Sequence, residues 1–433
     1  MDSHFKFTER GTNIVTEIIA GLTTFMAMAY IVVVNPAILS AAGMDFNGVF
    51  VATVLASVIG TLIMGIFANY PIAIAPGMGM NAFFAYSIVI GTGVSWQTAL
   101  GSVFIASVIF TLLSLTQFRY VLINAIAPSL RHAITAGIGF FITFIGLQNG
   151  KIILASPATL VTLGNLKDPL AFLTVIGLGI TLLFLTLRLK GAIFLGMALT
   201  AVLAAFSGMV AVPNEIFLLP SGIVNTAWQL DIAGVFSEGL YAVIFTFLLI
   251  TIFDTTGTML GVAKQAGLLA KDGSFPRVKG ALLADALGGL AGALLGTSPT
   301  SAYVESGAGV AAGGRTGFTA VVTAILLFLT LFLLPLAKMV AALPSITAPA
   351  LIIVGFYMME GLKDIDWQNI EEGFPAFLVI VAMPLTYSLA IGIGIGFIVY
   401  PLLKIIRGKF REVHPVMYVF MVLFFIQIGF LGH

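Results

Sequence analysis

From Phe46 to Phe118 the chain contains no Asp, Glu, Lys or Arg. Soluble domains carry roughly a quarter charged residues, so no water-exposed domain folds from such a stretch. It does supply apolar chain for about three membrane crossings at ~20 residues each. The remainder agrees: 60% of the 433 residues are hydrophobic and 9% charged, with a mean hydropathy of +1.13. Because a lipid-facing backbone must satisfy its own hydrogen bonds, these values predict an all-α polytopic membrane protein.

Apolar runs predict segments near 13–39, 47–69, 71–90, 97–117, 130–148, 169–188, 191–211, 236–262, 279–296, 297–313, 317–337, 346–362, 373–387 and 388–405, about fourteen in all. A further run at 415–431 either spans or lies in the interface. With alternating spans, Lys6, Arg10, Arg119, Arg131, Arg188, Lys190, Lys264, Lys271, Arg277, Lys279, Arg315, Lys404, Arg407, Lys409 and Arg411 fall on one side. An excess of cations marks the cytoplasmic face. The connection 212–235, with Glu215, Trp228 and Asp231 but no Lys or Arg, falls outside; Lys151, Lys167 and Lys338 are exceptions. The polar start, Met1 to Arg10, lacks the apolar core of a signal peptide and is expected to stay in the cytoplasm.

Two segments interrupt the apolar pattern. Tyr70-Pro-Ile-Ala-Ile-Ala-Pro-Gly-Met-Gly-Met-Asn-Ala-Phe-Phe-Ala-Tyr86 is one, and the Gly-, Ser- and Thr-rich Gly296 to Gly317 is the other. Irregular backbone at membrane depth survives only inside the protein or along a polar cavity. A pair of interrupted segments in two halves of a membrane chain points to a transport site built from half-helices. An internal echo supports two halves: Ala125-Ile-Ala-Pro-Ser-Leu130 and Ala341-Ala-Leu-Pro-Ser-Ile346 each lead into an apolar span.

Few residues could carry chemistry there. Asp254, among Thr255, Thr256 and Thr258 in the eighth span, is an intramembrane acid and by default functional. Glu305 follows an extended Ser/Thr/Pro stretch and starts a small-residue helix beginning at Ser306, where free N–H groups favour anions or carbonyl oxygens. Asn81, just after Gly77-Met-Gly79, holds the matching place in the first half, and its amide both donates and accepts. Phe83, Phe84 and Tyr303 could stack on a planar ligand. Glu17, Asp285 and Glu360 are read as span-end groups, His132 as interfacial, and Arg315 and Lys264 as topological charges. The small-residue face Gly288, Gly292, Gly296 reads as helix packing.

Several function classes are excluded. The chain has no cysteine and a net charge of +1, which removes disulfides and thiolate chemistry and argues against nucleic acid. No phosphate-binding loop, metal-ligand cluster or nucleophile elbow occurs, so an enzyme is not expected, nor a cofactor.

The motifs Ala75-Pro-Gly-Met-Gly-Met-Asn81, Phe253-Asp-Thr-Thr-Gly-Thr258 and Ala302-Tyr-Val-Glu-Ser-Gly-Ala-Gly-Val-Ala-Ala-Gly-Gly-Arg-Thr-Gly317 resemble those of the AzgA-like purine permeases of the nucleobase–cation symporter families. The resemblance implies fourteen segments in two inverted repeats of seven, with uracil-permease-like core and gate domains. Segments 3 and 10 would each be a short strand plus a half-helix. It divides the chain into a cytoplasmic N-terminus at 1–12, core halves at 13–117 and 236–337, gate halves at 118–235 and 338–405, and a C-terminal basic and apolar tail at 406–433. It also implies a plasma-membrane location, import of guanine, hypoxanthine and/or adenine by proton symport, and a homodimer formed through the gate. Asp254 and Glu305 would be the substrate-binding and proton-coupling carboxylates, joined by Gly79, Met80, Asn81, Phe83, Thr258, Tyr303 and Ser306. Thr258 stands where uracil permeases carry histidine, so coupling here would fall on a carboxylate. Sodium coupling, and an anion transporter or channel of the same fold, are the alternatives.

Overall fold

The computed structural model describes residues 2–116, 125–269 and 276–431. Arg119, Lys271 and the 117/118 domain boundary lie outside them. The described chain forms the helices α1 (Ile14–Met28), α2 (Ile31–Ala41), α3 (Phe46–Ile63), α4 (Met78–Ala82, continued by a π-helical stretch to Ile90), α5 (Trp96–Leu115), α6 (Pro128–Asn149), α7 (Pro169–Thr186) and α8 (Ala192–Phe206). After an extended connection come α9 (Tyr241–Gln265), α10 (Val278–Leu295), α11 (Ser306–Ala311), α12 (Gly317–Leu329), α13 (Pro344–Met358), α14 (Ile370–Thr386), α15 (Leu389–Ile406) and α16 (Pro415–Ile426). Ten helices, some built from two of these elements in sequence, are long and apolar enough to cross a membrane among the described residues. The chain is a multi-pass membrane protein.

Local chemistry sets the ends. Side chains of Asn13, Asp45, Ser95, Asp168, Thr316 and Ser388 cap helices by accepting from backbone N–H groups one turn on. Pro128 and Pro344 occupy first-turn positions, where the missing donor costs nothing. The helices they start, α6 and α13, pack on one another. Between α1 and α2 the ladder tightens to i→i−3 bonds, Val32 N to Ala29 O at 3.3 Å and Val33 N to Tyr30 O at 3.1 Å. The break precedes Pro36, which has no N–H to offer the Val32 carbonyl.

The two interrupted segments meet. Strand β1 (Ile74–Pro76) pairs antiparallel with strand β2 (Thr300–Ala302), in the register Ile74 to Ala302, Ala75 to Ser301 and Pro76 to Thr300, and all six residues are buried. Flanking bonds from Gly77 N to Pro299 O (3.0 Å) and Tyr303 N to Ala73 O (2.9 Å) extend the ladder. The extended backbone at membrane depth thus satisfies itself by mutual pairing. Gly296 makes the turn into β2: its φ is +96°, and an added Cβ would lie 2.4 Å from Thr226 Cβ.

Helices fall into two packed groups. In one, α10 lies on α5 and α3, α12 on α1 and α3, and α9 on α5; in the other, α6 lies on α13 and α14, α7 on α8 and α13, and α15 on α14 and α16. Gly288 of α10 reaches within contact of Gly60 of α3, its ideal Cβ lying 3.3 Å from Gly60 Cα, which realises the expected small-residue packing face.

Glu17 departs from its reading as a solvated span-end group. It is fully buried and accepts from Arg315 N (2.8 Å), from Thr316 Oγ1 (2.8 Å) and from Thr319 N (3.1 Å) and Oγ1 (2.5 Å). With Asn69, whose Oδ1 accepts from Gly317 N at 2.7 Å, it caps α12 from two neighbouring helices. The start of α1 packs on the start of α12, so this end never meets water, and the free N–H groups there take a carboxylate instead. At the far end of the second group, Lys404 is buried between Glu371 (3.3 Å), Glu372 (3.1 Å) and Glu412 (3.1 Å), while Arg407 and Lys409 hold Glu371 at 3.2 and 3.0 Å.

Candidate functional site: an acid-lined cleft beside the paired strands

Each strand runs directly into a half-helix, β1 into α4 and β2 into α11. The turn at Gly77 and the start of α11 therefore lie together, facing α9, which supplies Asp254 and Thr258, and the break between α1 and α2, which supplies Tyr30. A cleft of about 80 Å³ forms among them, lined by Tyr30, Met78, Gly79, Asp254, Thr258, Ser301, Tyr303 and Glu305, with Val354 and Met358 of α13 closing it from the second helix group. It continues into a wider vestibule of about 270 Å³ running along α9 past Gly257 and Gly261 to Gln265.

Both carboxylates are half-buried on this cleft. Glu305 accepts a hydrogen bond from the Tyr30 hydroxyl at 2.5 Å, and Tyr30 itself is fully buried. Asp254 lies against the turn at Gly77, whose ideal Cβ would be 3.7 Å from Asp254 Oδ2 and 3.0 Å from Ser301 Oγ. Tyr303 lines the cleft while its hydroxyl donates to Pro76 O at 2.6 Å, tying the half-helix start to the opposite strand. Among the described residues no Lys, Arg or His lines the cleft or the vestibule. The site therefore offers carboxylate acceptors and hydroxyls that both donate and accept, on apolar walls. That suits a neutral ligand with N–H donors and disfavours a small anion. Among the described residues no group of three or more His, Asp or Glu side chains is placed to hold a metal ion.

The sequence-predicted residues divide. Asp254, Glu305, Gly79, Thr258 and Tyr303 come together on the cleft, and Met80 lines a small hollow behind Asp254 with Ile138 and Phe253. Asn81 does not join them: it is fully buried, its amide nitrogen contacts Met78 Sδ at 3.8 Å, and its Oδ1 has no partner. Helical geometry explains this, because residues two apart point ~200° away from each other, so with Gly79 on the cleft Asn81 faces inward. Phe83 packs edge-on against Phe247 with ring centroids 5.1 Å apart. The Ser306 hydroxyl accepts from Ala73 N at 3.0 Å, extending the strand pairing. Asp285, also read as a span-end group, is 1% exposed, because α10 packs there on α3 and α5 and Thr255 of α9 donates to it. The sequence reading missed Tyr30, Ser301 and Met78. Tyr30 was findable in principle, since Pro36 marks a helix break one to two turns earlier.

A helical membrane fold in which two broken segments pair through short strands around a polar cleft is the fold of a membrane transport protein. It matches the transmembrane domain of the cyanobacterium bicarbonate transporter BicA with a TM-score of 0.66 at 16% identity, over 87% of this chain and 97% of that one. The chain belongs to the permease family Xan_ur_permease, whose model matches residues 15–395. It is 51% identical to the guanine/hypoxanthine permease PbuO of Bacillus subtilis, over 98% of this chain and 99% of that protein. It is 43% identical to the adenine permease AdeP of Escherichia coli, over 99% and 95%. These relatives are permeases and not enzymes.

Proposed function

We propose that the protein imports purine nucleobases, guanine, hypoxanthine and/or adenine, by proton symport across the cell's plasma membrane, with its N-terminus in the cytoplasm. The observation that carries this reading is the placing of Asp254 and Glu305 on one cation-free cleft where the two broken segments meet. A purine edge presents ring N–H donors to carboxylates, and the Thr258 and Ser301 hydroxyls can answer its ring nitrogens or 6-substituent. The guanine/hypoxanthine and adenine permeases among its relatives support the substrate class.

The two helix groups, taken as a core carrying the cleft (13–117 and 236–337) and a gate (118–235 and 338–405), support alternating access. The antiparallel pairing of β1 with β2, and of α6 with α13, where Gly139 lies against Gly355 and Gly146 against Ala348, supports fourteen segments in two inverted repeats. The vestibule runs along α9 to Gln265, beside Lys264, which the charge pattern assigns to the cytoplasm; this supports a conformation open to that side. A proton contributes about 1.4 kcal/mol per pH unit and about 2.3 kcal/mol per 100 mV, enough for at least tenfold accumulation.

Radiolabelled guanine, hypoxanthine and adenine uptake into proteoliposomes tests the reading. Saturable uptake that collapses with a protonophore, persists when Na⁺ is replaced by choline, and is lost in Asp254→Asn and Glu305→Gln supports it. Wild-type uptake in both variants would remove the site assignment, and dependence on Na⁺ would change the coupling ion.

A further inference from the structure

Behind β2, on the side away from the cleft, lies a second hollow. It is a space of about 10 Å³ lined by Ser107 of α5, Thr251 of α9, Asp285 and Gly289 of α10, and Thr300 of β2, about the size that holds one water or an ion of similar radius. Asp285 is 1% exposed. One of its oxygens accepts from the Thr255 hydroxyl, and the other, Oδ1, has no hydrogen-bond partner among the described residues. We infer that Asp285, with the hydroxyls of Ser107, Thr251 and Thr300, forms a site for the coupling cation, a proton taken up by the Asp285 carboxylate or Na⁺ bound beside it, separate from the nucleobase cleft.

An aspartate at this depth is expensive to insert, and an unpartnered buried carboxylate oxygen adds a desolvation cost that a packing role would not need. Among the described residues no cationic side chain pairs with it. Of the elements packed on α10, helices α3 and α5 and strands β1 and β2 carry no titratable side chain, and α9 presents one acid nearby, Asp254. A monovalent cation in the hollow supplies the missing partner; Ser107, Thr251 and Thr300 line the space, and the Thr251 and Thr300 hydroxyls, which donate to Met80 Sδ and to the Asp285 carbonyl, keep lone pairs free to accept.

The hollow is wired to the cleft by two adjacent-residue steps. Successive strand residues face opposite sides, so Thr300 meets the hollow while Ser301 meets Asp254. On α9, Thr255 donates to Asp285 while its neighbour Asp254 faces the cleft. Charge at Asp285 therefore acts on the strand and helix that shape the nucleobase site without touching the nucleobase. The inference rests on the symport reading above and adds that the driving charge does not sit on the substrate's own ligands.

The test separates transport from coupling, using purified full-length protein in proteoliposomes. With Asp285→Asn, which keeps the shape and the Thr255 contact, exchange of labelled against unlabelled guanine at equal concentrations should persist within about twofold, while gradient-driven accumulation falls from about tenfold or more to parity. Gly289→Ala is the second variant. Its added Cβ lies 3.2 Å from Ser107 Oγ and 3.8 Å from Thr300 Oγ1, so it fills the hollow, leaves both acids in place, and should also depress accumulation more than exchange. Imposing a pH gradient in Na⁺-free buffer, or a Na⁺ gradient at equal pH, identifies which cation drives wild type. Undiminished accumulation in both variants, or loss of exchange in parallel with accumulation in both, overturns the inference. Loss of all guanine transport in wild type would refute the purine reading instead.

Discussion

Tyr30→Phe removes one oxygen from a side chain with no exposed surface and leaves its ring packed. The lost contact is the 2.5 Å hydrogen bond to Glu305 Oε1. Hydrogen bonds to charged groups are worth about 1.5–3 kcal/mol, and that is the restraint on Glu305 orientation which a ligand must then supply. At ~1.4 kcal/mol per decade, guanine affinity should fall by about ten- to a hundredfold. Equilibrium binding of labelled guanine to purified protein in nanodiscs measures this directly, with thermal unfolding recorded alongside to show that the fold persists. Glu305→Gln should bind no better than Tyr30→Phe, and the double variant should lose much less than the sum of the two, since both act through one contact. Wild-type affinity in Tyr30→Phe, or full additivity in the double variant, would refute the view that Tyr30 works by setting the Glu305 carboxylate.

Gly79→Ala places a Cβ 2.4 Å from Ile138 Cγ2; overpacking of this kind costs about 1–3 kcal/mol, so uptake should drop sharply and recover in part with Ile138→Ala, whereas no recovery would show that the backbone at Gly79 itself is needed by the ligand. Glu17→Ala strips the acceptor from the α12 start and should destabilise the protein by about 2 kcal/mol or more, seen as a melting temperature below wild type both without guanine and at saturating guanine. Lys404→Met leaves Glu371 and Glu372 facing each other without their shared buried partner and should lower melting temperature well beyond Lys363→Met, which breaks only the exposed Glu360 pair; equal effects would contradict the burial argument.

The periodicity and cost arguments that made the fold readable are ones the bilayer imposes. A carboxylate in an apolar span is expensive wherever it points, so Asp254 and Glu305 stood out without coordinates. Polar, glycine-rich chain between spans is equally conspicuous, so both interruptions were visible. What spacing does not specify is rotation about a short helix, and that is why Gly79 and Asn81 looked equally eligible though they face opposite ways. Glu17 and Asp285 were discounted because distance along a segment was taken for distance from water. For Glu17 the packing of α1 against α12 decides otherwise, and for Asp285 the packing of α10 on α3 and α5 does. Tyr30 depends on a partner 275 positions later in the chain, a relation carried by tertiary contact alone.

The pairing of β1 with β2 joins residues more than two hundred positions apart. While the first half alone has left the ribosome, the edge of β1 has no mate, and a bare extended backbone cannot rest against acyl chains. Membrane insertion must therefore hold that segment sheltered, or outside the bilayer, until the tenth apolar stretch arrives. Truncated products ending before Thr300 should accordingly be substrates for membrane quality control rather than stable half-proteins.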